Sequence, residues 1–251
     1  MAVILFIDLL GARARWKRGG IETSVRAFNH FTAFMIAAAK MDLEYVIDGL
    51  IETDAAAFVC SEPEAAFRIA RRAYLRAFAT PGGSMRERLW LRGAVVPAGE
   101  GPLRTGRTAW GPASRVNIFT YSREFFDAVA IEKSGFKGMR LLVRGDVVTA
   151  RIKRTLALPI GPRWLIPLRR LRHSGYAPGP SEDLQDFLWM STADSDEWRR
   201  LEYTMSSRLR DCTSDQEEFA QAAATQVLFH EASAIYHSVV NRAARATATA
   251  G

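Results

Sequence analysis

The chain opens on an unbroken apolar run, Val3-Ile4-Leu5-Phe6-Ile7, which ends in Asp8 and continues into Leu9-Leu10-Gly11. A short apolar run closed by an acid and a glycine predicts a fully buried strand over residues 2–7. The stretch Gly11 to Gly20 (GARARWKRGG) reads as a basic loop. From Ile21 to Lys40 apolar residues recur at Val25, Phe28, Phe31 (or Thr32) and Met35, the three-and-four spacing of a helix. Residues 44–51 and 54–59 read as adjacent strands joined by a tight connection. Ser61-Glu62-Pro63-Glu64 has the capping-box arrangement with an early proline, and the helix it opens carries Phe67, Ala70, Tyr74 and Phe78.

Pro81-Gly82-Gly83-Ser84 breaks the chain before a strand over about Arg88 to Val96. A Gly/Pro/Arg-rich loop follows, then a helix over 122–134 and a strand from Met139 to Val143. Prolines and glycines crowd the stretch from Leu156 to Pro180, which reads as a long irregular connection. Beyond it, residues 181–190 and 194–210 look helical. A last helix starts at Thr213 or Ser214 and runs to about Ala244, with Phe219, Ala223, Val227, Ile235 and Val239 as its packing face. The element order mixes crossovers with a hairpin and predicts an α+β sandwich with helices on one face of an antiparallel-containing sheet. The domain reading is a first unit over 1–155, the connection over 156–180 and a helical C-terminal region over 181–251.

The 251 residues suffice for one large domain with an appended element. A net charge of +7, mostly from scattered arginines, favours anionic ligands. The basic cluster Arg169-Arg170-Leu171-Arg172 lacks interleaved aromatics, so neither nucleic acid nor a stable membrane association is expected. Cys60 and Cys212 are too few for a disulfide framework or a zinc site. The first apolar run is far shorter than the ~20 residues of a membrane span and lacks signal-peptide features, so a cytoplasmic location is expected.

Two strand-end acids carry the candidate chemistry. Asp8 closes the first apolar run, and Asp54 opens another, Ala55 to Val59. A carboxylate on a buried strand needs a partner, and two such acids suit a pair of divalent ions. Mg²⁺ and Mn²⁺ prefer oxygen ligands, so Asp8 and Asp54 fit them, with the Ile7 carbonyl as a further candidate. Backbone amides just after Asp8, at Leu9 and Gly11, are placed to meet a triphosphate. Arg13, Arg15 or Lys17 in the same stretch would add charge for the triphosphate, Arg13 first among them, the alternative being an ordinary solvated basic loop.

Taken in order, these segments resemble the class III nucleotidyl cyclase catalytic domain over about residues 1–145. Phe6-Ile7-Asp8-Leu9-Leu10-Gly11 is similar to that family's first metal-binding motif. Glu52-Thr53-Asp54-Ala55-Ala56-Ala57-Phe58 resembles the second, with Thr53 where the family usually has glycine. Leu91-Arg92-Gly93-Ala94-Val95-Val96-Pro97-Ala98-Gly99 is similar to the next strand. Ala130-Ile131-Glu132 with Lys137-Gly138-Met139-Arg140-Leu141 resembles the late helix-to-strand passage. The details look closest to the bacterial uridylate and pyrimidine cyclases of Pycsar antiphage systems.

The resemblance implies a ferredoxin-like cyclase sandwich with a C-terminal helical extension. It implies a homodimer that converts UTP to cyclic UMP with two Mn²⁺ or Mg²⁺ ions and signals to a separate effector. At matching places a tyrosine and an arginine, here Tyr45 and Arg92, would read the base. Arg92 offers only donors, which suit the uracil carbonyls, and Tyr45 leaves room for one ring. One departure stands out. The Asn and Arg that many of these cyclases carry on the late helix align with Phe126 and Ala130. Arg115, Arg123 and Arg140 are the substitutes for that charge, with Arg140 the choice for the triphosphate. The rival readings are a cytidylate or purine cyclase and an inactive cyclase-like nucleotide-binding scaffold. His230 and His237, two turns apart without further ligands, read as packing residues. No P-loop, GxGxxG or nucleophile-elbow pattern occurs.

Overall fold

Strand β1 (Val3–Leu9) is buried on both faces because its two sets of alternating side chains enter two different cores. Val3, Leu5, Ile7 and Leu9 face one core, and Ile4 and Phe6 the other. The structure, a computed structural model, describes residues 1–79, 88–99, 104–110, 114–120, 123–133, 136–148, 165–167, 184–192, 194–212 and 216–249. For 12–19, 104–110, 114–120, 165–167, 239 and 242–249 it describes the backbone alone. The Pro/Gly-rich connection, including the Arg169–Arg172 cluster, lies almost wholly outside the described residues.

Helix α1 (Ala12–Ala39) and a 3₁₀ turn (Lys40–Tyr45) lead to β2 (Val46–Ile51) and β3 (Ala55–Cys60). Helix α2 (Pro63–Ala79) precedes β4 (Leu91–Pro97), the hairpin β5 (Arg104–Trp110) and β6 (Ser114–Thr120), and α3 (Arg123–Glu132). Strands β7 (Leu141–Arg144), β8 (Leu165–Pro167) and β9 (Leu184–Phe187) follow, then helices α4 (Ser195–Asp211) and α5 (Gln216–Thr249). The main sheet has seven strands in the order β2-β3-β1-β4-β7-β9-β8. Its pairs are antiparallel except β4–β7, while β5 and β6 pair only with each other.

The α+β sandwich expected from the sequence is what folds, with differences in detail. Helices cover both faces: α1, α2, α4 and α5 pack on the Leu5 side, and α3 packs on the Phe6 side. Residues 12–19 are helical rather than loop. The break falls at Gly20, whose φ of 70° and ψ of −170° kink α1 without ending it, a conformation that costs glycine little. The expected loop before α3 contains the β5–β6 hairpin. Residues 184–187 form a strand beside β7 instead of a helix, because Leu184 and Phe187 fill opposite cores at sheet spacing. The sheet therefore runs past residue 155, and the C-terminal region contributes a strand to it.

Helix α2 buries Phe67, Ala70, Tyr74 and Phe78 completely, as its periodicity predicts. Helix α5 differs from its apolar pattern: Phe219 and Val227 are exposed, while Glu218, Gln221, Ala222, Thr225, Leu228 and Ala232 are buried. On α4, Asp194 caps the N-terminus by accepting from the Asp196 and Glu197 amides at 2.8 and 3.1 Å. Arg208 of α4 is buried and donates to the carbonyls of Ala77, Phe78 and Leu89, satisfying the orphan acceptors at the end of α2. No helix among the described residues is long and apolar enough to cross a membrane.

Candidate active site

Alternation along β1 puts Asp8 on the same face as Ile4 and Phe6, the face covered by α3. Asp8 pairs in register with Ala55 on one side and Arg92 on the other. The Leu9 amide donates to the Asp54 carbonyl at 2.7 Å, which ties the turn before β3 to the end of β1. The two acids thus lie side by side at one end of the sheet, Asp8 partly and Asp54 half-buried.

A row of charge crosses the sheet at this level. Arg92 of β4 lies beside Asp8, and Arg140, just before β7, lies beside Arg92, because the Gly93 amide donates to the Arg140 carbonyl at 2.9 Å. Glu132, at the end of α3, reaches into the row from above. Arg92 Nε donates to Glu132 Oε1 at 2.6 Å, and Arg92 Nη1 donates to the Phe136 carbonyl at 2.8 Å. Arg140 Nε donates to Asp186 Oδ2 at 2.6 Å, and its guanidinium lies 5.3 Å from the centre of the Phe136 ring. Asp186 is fully buried, and its Oδ1 has no partner among the described residues. Burial pushes its carboxyl up to about 6 against the pull of Arg140.

Among the described residues, no hydrogen bond or ion pair reaches the Asp8 carboxyl. Burial first, then the charges of Glu132 and Asp54, push it up to about 7, with Arg92 and Lys133 pulling the other way. Burial raises Glu132 as well, although Arg92 opposes it. Negative charge held in a partly dry place without a partner is what a divalent cation neutralises. Oxygen donors from Asp8 and Asp54 therefore fit Mg²⁺ or Mn²⁺ in chemistry. The described residues contain no ready-made cluster of three or more metal-ligating side chains, so further ligands would have to be backbone, nucleotide or water oxygens. Ile7 is interior to the ladder, paired with Ala56 and Gly93.

The turn after Asp8 suits phosphate in a different way from the one its sequence suggests. The Leu9 and Leu10 amides are committed to the carbonyls of Asp54 and Trp90. Gly11 (φ 78°, ψ 13°) leads directly into α1, whose first turn has no side-chain cap and no acid. Among the described residues no side chain caps its N-terminal amides, the positive end of the helix dipole. Arg13, Arg15 and Lys17 belong to this first stretch of α1, with side chains outside the described set.

Tyr45 is not brought to the acids. Its neighbour Val46 pairs with Cys60, which pairs with Val3, whereas Asp8 pairs with Ala55. Five residues of strand, about 17 Å at roughly 3.4 Å each, separate the two ends. There Tyr45 is half-buried under the Arg68 guanidinium, 5.5 Å from its ring centre. Phe126 is 59% exposed on α3. Arg123 opens α3, at the opposite end of that helix from Glu132, and the Arg115 side chain is outside the described set. Sequence reasoning missed Glu132 and Asp186. Only an acid directly after apolar Ile131, or within the apolar stretch around Phe187, hinted at either.

No protein-family model matches the sequence, and no curated protein matches it closely enough to count as a relative. Solved structures do match. One is the catalytic core of a rhodopsin-guanylyl cyclase with converted specificity, in complex with ATPαS, at 15% identity over 74% of this chain and 94% of that one, TM-score 0.50. This is the nucleotidyl cyclase catalytic fold. The guanylate cyclase domain of a Catenaria anguillulae protein in complex with GTP aligns with 14% identity over 74% and 94% of the two chains, TM-score 0.49. A bacterial light-regulated adenylyl cyclase aligns with 12% identity over 82% and 96%, TM-score 0.49. At these identities the likeness concerns the cyclase fold.

Proposed function

We propose that this protein is a homodimeric nucleotidyl cyclase that converts UTP to 3′,5′-cyclic UMP and pyrophosphate with Mn²⁺ or Mg²⁺. In this reading it works in the cytoplasm, and the product is a second messenger that activates a separate effector in antiphage defence. The observation that carries the enzymatic part is that Asp8 lies opposite Ala55, next to Asp54, at one sheet end, with no hydrogen bond or ion pair to its carboxyl among the described residues.

In cyclisation the ribose 3′-oxygen bonds to the α-phosphorus in line, the bond from that phosphorus to the bridging oxygen breaks, and pyrophosphate leaves. The hydroxyl proton passes to water as the new bond forms. Asp8 and Asp54, with the Ile7 carbonyl as a further donor, would hold the divalent ions, which would supply positive charge to the reacting phosphate. Gly11 and the first amides of α1 face the triphosphate, helped by Arg13, and Arg140 adds positive charge beside the acids.

Support for uracil comes from Arg92, two residues from Ala94 on the acid-bearing face, because a guanidinium offers only donors, which suit carbonyl acceptors. Three of its donor contacts already serve Glu132 and Phe136. Tyr45 can take part in base reading only from a second copy, given its distance from its own chain's acids. These two facts keep a purine or cytidine substrate as the second reading, as the GTP and ATPαS complexes of similar folds do.

The deciding experiment is incubation with each of the four labelled nucleoside triphosphates and Mn²⁺. Cyclic UMP as the dominant product is expected. Equal turnover of ATP or GTP replaces the uracil assignment, and nucleotide binding without pyrophosphate release makes the protein a scaffold.

A further inference from the structure

The loop Phe136–Arg140 supports both arginines of the charge row. The Phe136 carbonyl accepts from Arg92 at 2.8 Å, its ring underlies Arg140, and the Arg140 carbonyl accepts from Gly93 at 2.9 Å. A loop cannot hold a guanidinium unless its own backbone is held, and this one precedes β7, so sheet partners begin only at Leu141.

Its amides are held by α5. The Gly138 amide donates to Gln221 Oε1 at 2.6 Å, and the Met139 amide donates to Thr225 Oγ1 at 2.9 Å. Thr225 in turn donates to the Gln221 carbonyl at 2.7 Å, so its hydroxyl is aimed as well as bonded. Gln221 is 5% exposed and Thr225 0%. Gly138 adopts φ +93°, and a side chain there would meet the Thr225 nitrogen at 2.9 Å, so the loop lies directly on the helix backbone. Two further bonds pin the same loop: Trp189 Nε1 donates to the Met139 carbonyl, and the Tyr74 hydroxyl donates to the Arg140 carbonyl, at 2.8 and 2.7 Å.

We infer that the C-terminal helix is part of the catalytic apparatus: Gln221 and Thr225 are positioning residues that fix the loop that carries Arg140 and holds Arg92 of β4 beside the Asp8–Asp54 pair. The buried face of α5 explains itself on this basis. Phe219 and Val227 of that helix are exposed, while polar Gln221 and Thr225 are turned inward beside Ala222 and Leu228. Packing alone calls for the reverse, since a buried polar group is stabilising only when its partner is in place. Neither residue touches the acids, so each acts through the loop.

The inference rests on the cyclase reading for its activity arm and is independent of it in its exchange arm. In the full chain, Thr225→Val removes the hydroxyl at nearly constant volume and Thr225→Ser restores it. With both variants folded by circular dichroism, amide exchange at Gly138 and Met139 is read by NMR, together with Gly93, whose amide reports on Arg140 from the sheet side. Pyrophosphate release gives kcat and KM separately. Thr225→Val is expected to speed exchange at Met139 and Gly93 and to lower kcat about fivefold to tenfold, the equivalent of one lost buried hydrogen bond. KM for Mn²⁺ stays unchanged, and Thr225→Ser returns both values to those of the parent. Faster exchange at Met139 with kcat unchanged overturns the inference, as does exchange confined to Met139 with Gly93 unaffected. Should no triphosphate be turned over by the parent protein, the cyclase reading falls, and the coupling of α5 to the charge row is judged on Gly93 exchange alone. If Thr225→Val does not fold, Gln221→Met, which removes the acceptor for the Gly138 amide, takes its place with the same two criteria.

Discussion

Asp8 and Asp42 are acids in one chain that are withdrawn from water and handled in opposite ways. Asp42, in the 3₁₀ turn, is 3% exposed and is met by two arginines of α2, Arg68 at 2.8 Å and Arg72. Burial pushes its carboxyl up, but the hydrogen bonds and charges of Arg68 and Arg72 overcome this and hold it below the usual range. Asp8 has Arg92 as its register neighbour, yet that guanidinium is turned to Glu132 and Phe136. Burial, with the charges of Glu132 and Asp54, drives the Asp8 carboxyl up to about 7 although Arg92 pulls it down. A structural acid is satisfied by the protein; an acid kept unsatisfied at the expense of stability is available to a ligand.

Exchanging each acid for its amide gives the sharpest contrast. Asp8→Asn is expected to reduce pyrophosphate release at least about 100-fold, as loss of a metal ligand does. Asp42→Asn leaves turnover per folded molecule within about twofold, because its partners lie on α2, away from the acids. Comparable losses in both variants would erase the distinction.

In metal-free urea unfolding the order reverses. Asp42→Asn lowers stability by about 1–3 kcal/mol, discounted because Arg68 and Arg72 are partly exposed. Asp8→Asn raises it at pH 8 by about 1–2 kcal/mol, since an amide carries no charge to be desolvated.

The pH dependence has opposite signs at the two sites. Asp8 titrates at about 7 when folded and near the ordinary value of 3.8 when unfolded. The folded state therefore binds the extra proton between those values, and its stability falls as pH rises through that window. Asp42 is depressed when folded, so its stabilisation is present above the ordinary carboxylate value and fades as pH falls through its lowered one. Thermal melts of metal-free protein from pH 4 to 8 should show the Asp8 decline. Asp8→Asn should reduce it, the remainder coming from the raised carboxyls of Asp186 and Glu132, and Mn²⁺ at pH 8 should oppose the Asp8 part in the parent protein only.

The smallest expected effect belongs to Glu132→Gln. Removing that negative neighbour lets the Asp8 carboxyl move down toward its ordinary value, readable by NMR titration, while turnover changes by less than about tenfold.

Much of this was legible in the sequence. The β1 run, the α2 stripe of Phe67, Ala70, Tyr74 and Phe78, and the two strand-end acids all follow from local patterns, because each buries side chains at the period of its own element. What stayed hidden depends on partners far along the chain. Residues 184–187 form a strand only because the β7 edge is there to pair with them. Helix α5 presents Gln221 and Thr225 inward because a loop some eighty residues earlier offers them amides. Tyr45 and Asp54 are close in sequence, yet the β2–β3 hairpin places them at opposite ends of the sheet. The commitment of the Leu9 amide to Asp54 is likewise invisible before the strands are in register.

The central claim is that Asp8 and Asp54 share an ion site. Anomalous diffraction from crystals soaked in Mn²⁺ and a non-hydrolysable UTP analogue tests it most directly. Manganese peaks within about 2.2 Å of oxygens from both carboxylates are predicted. Peaks bound only elsewhere, with the two carboxylates turned away from each other, would contradict the account.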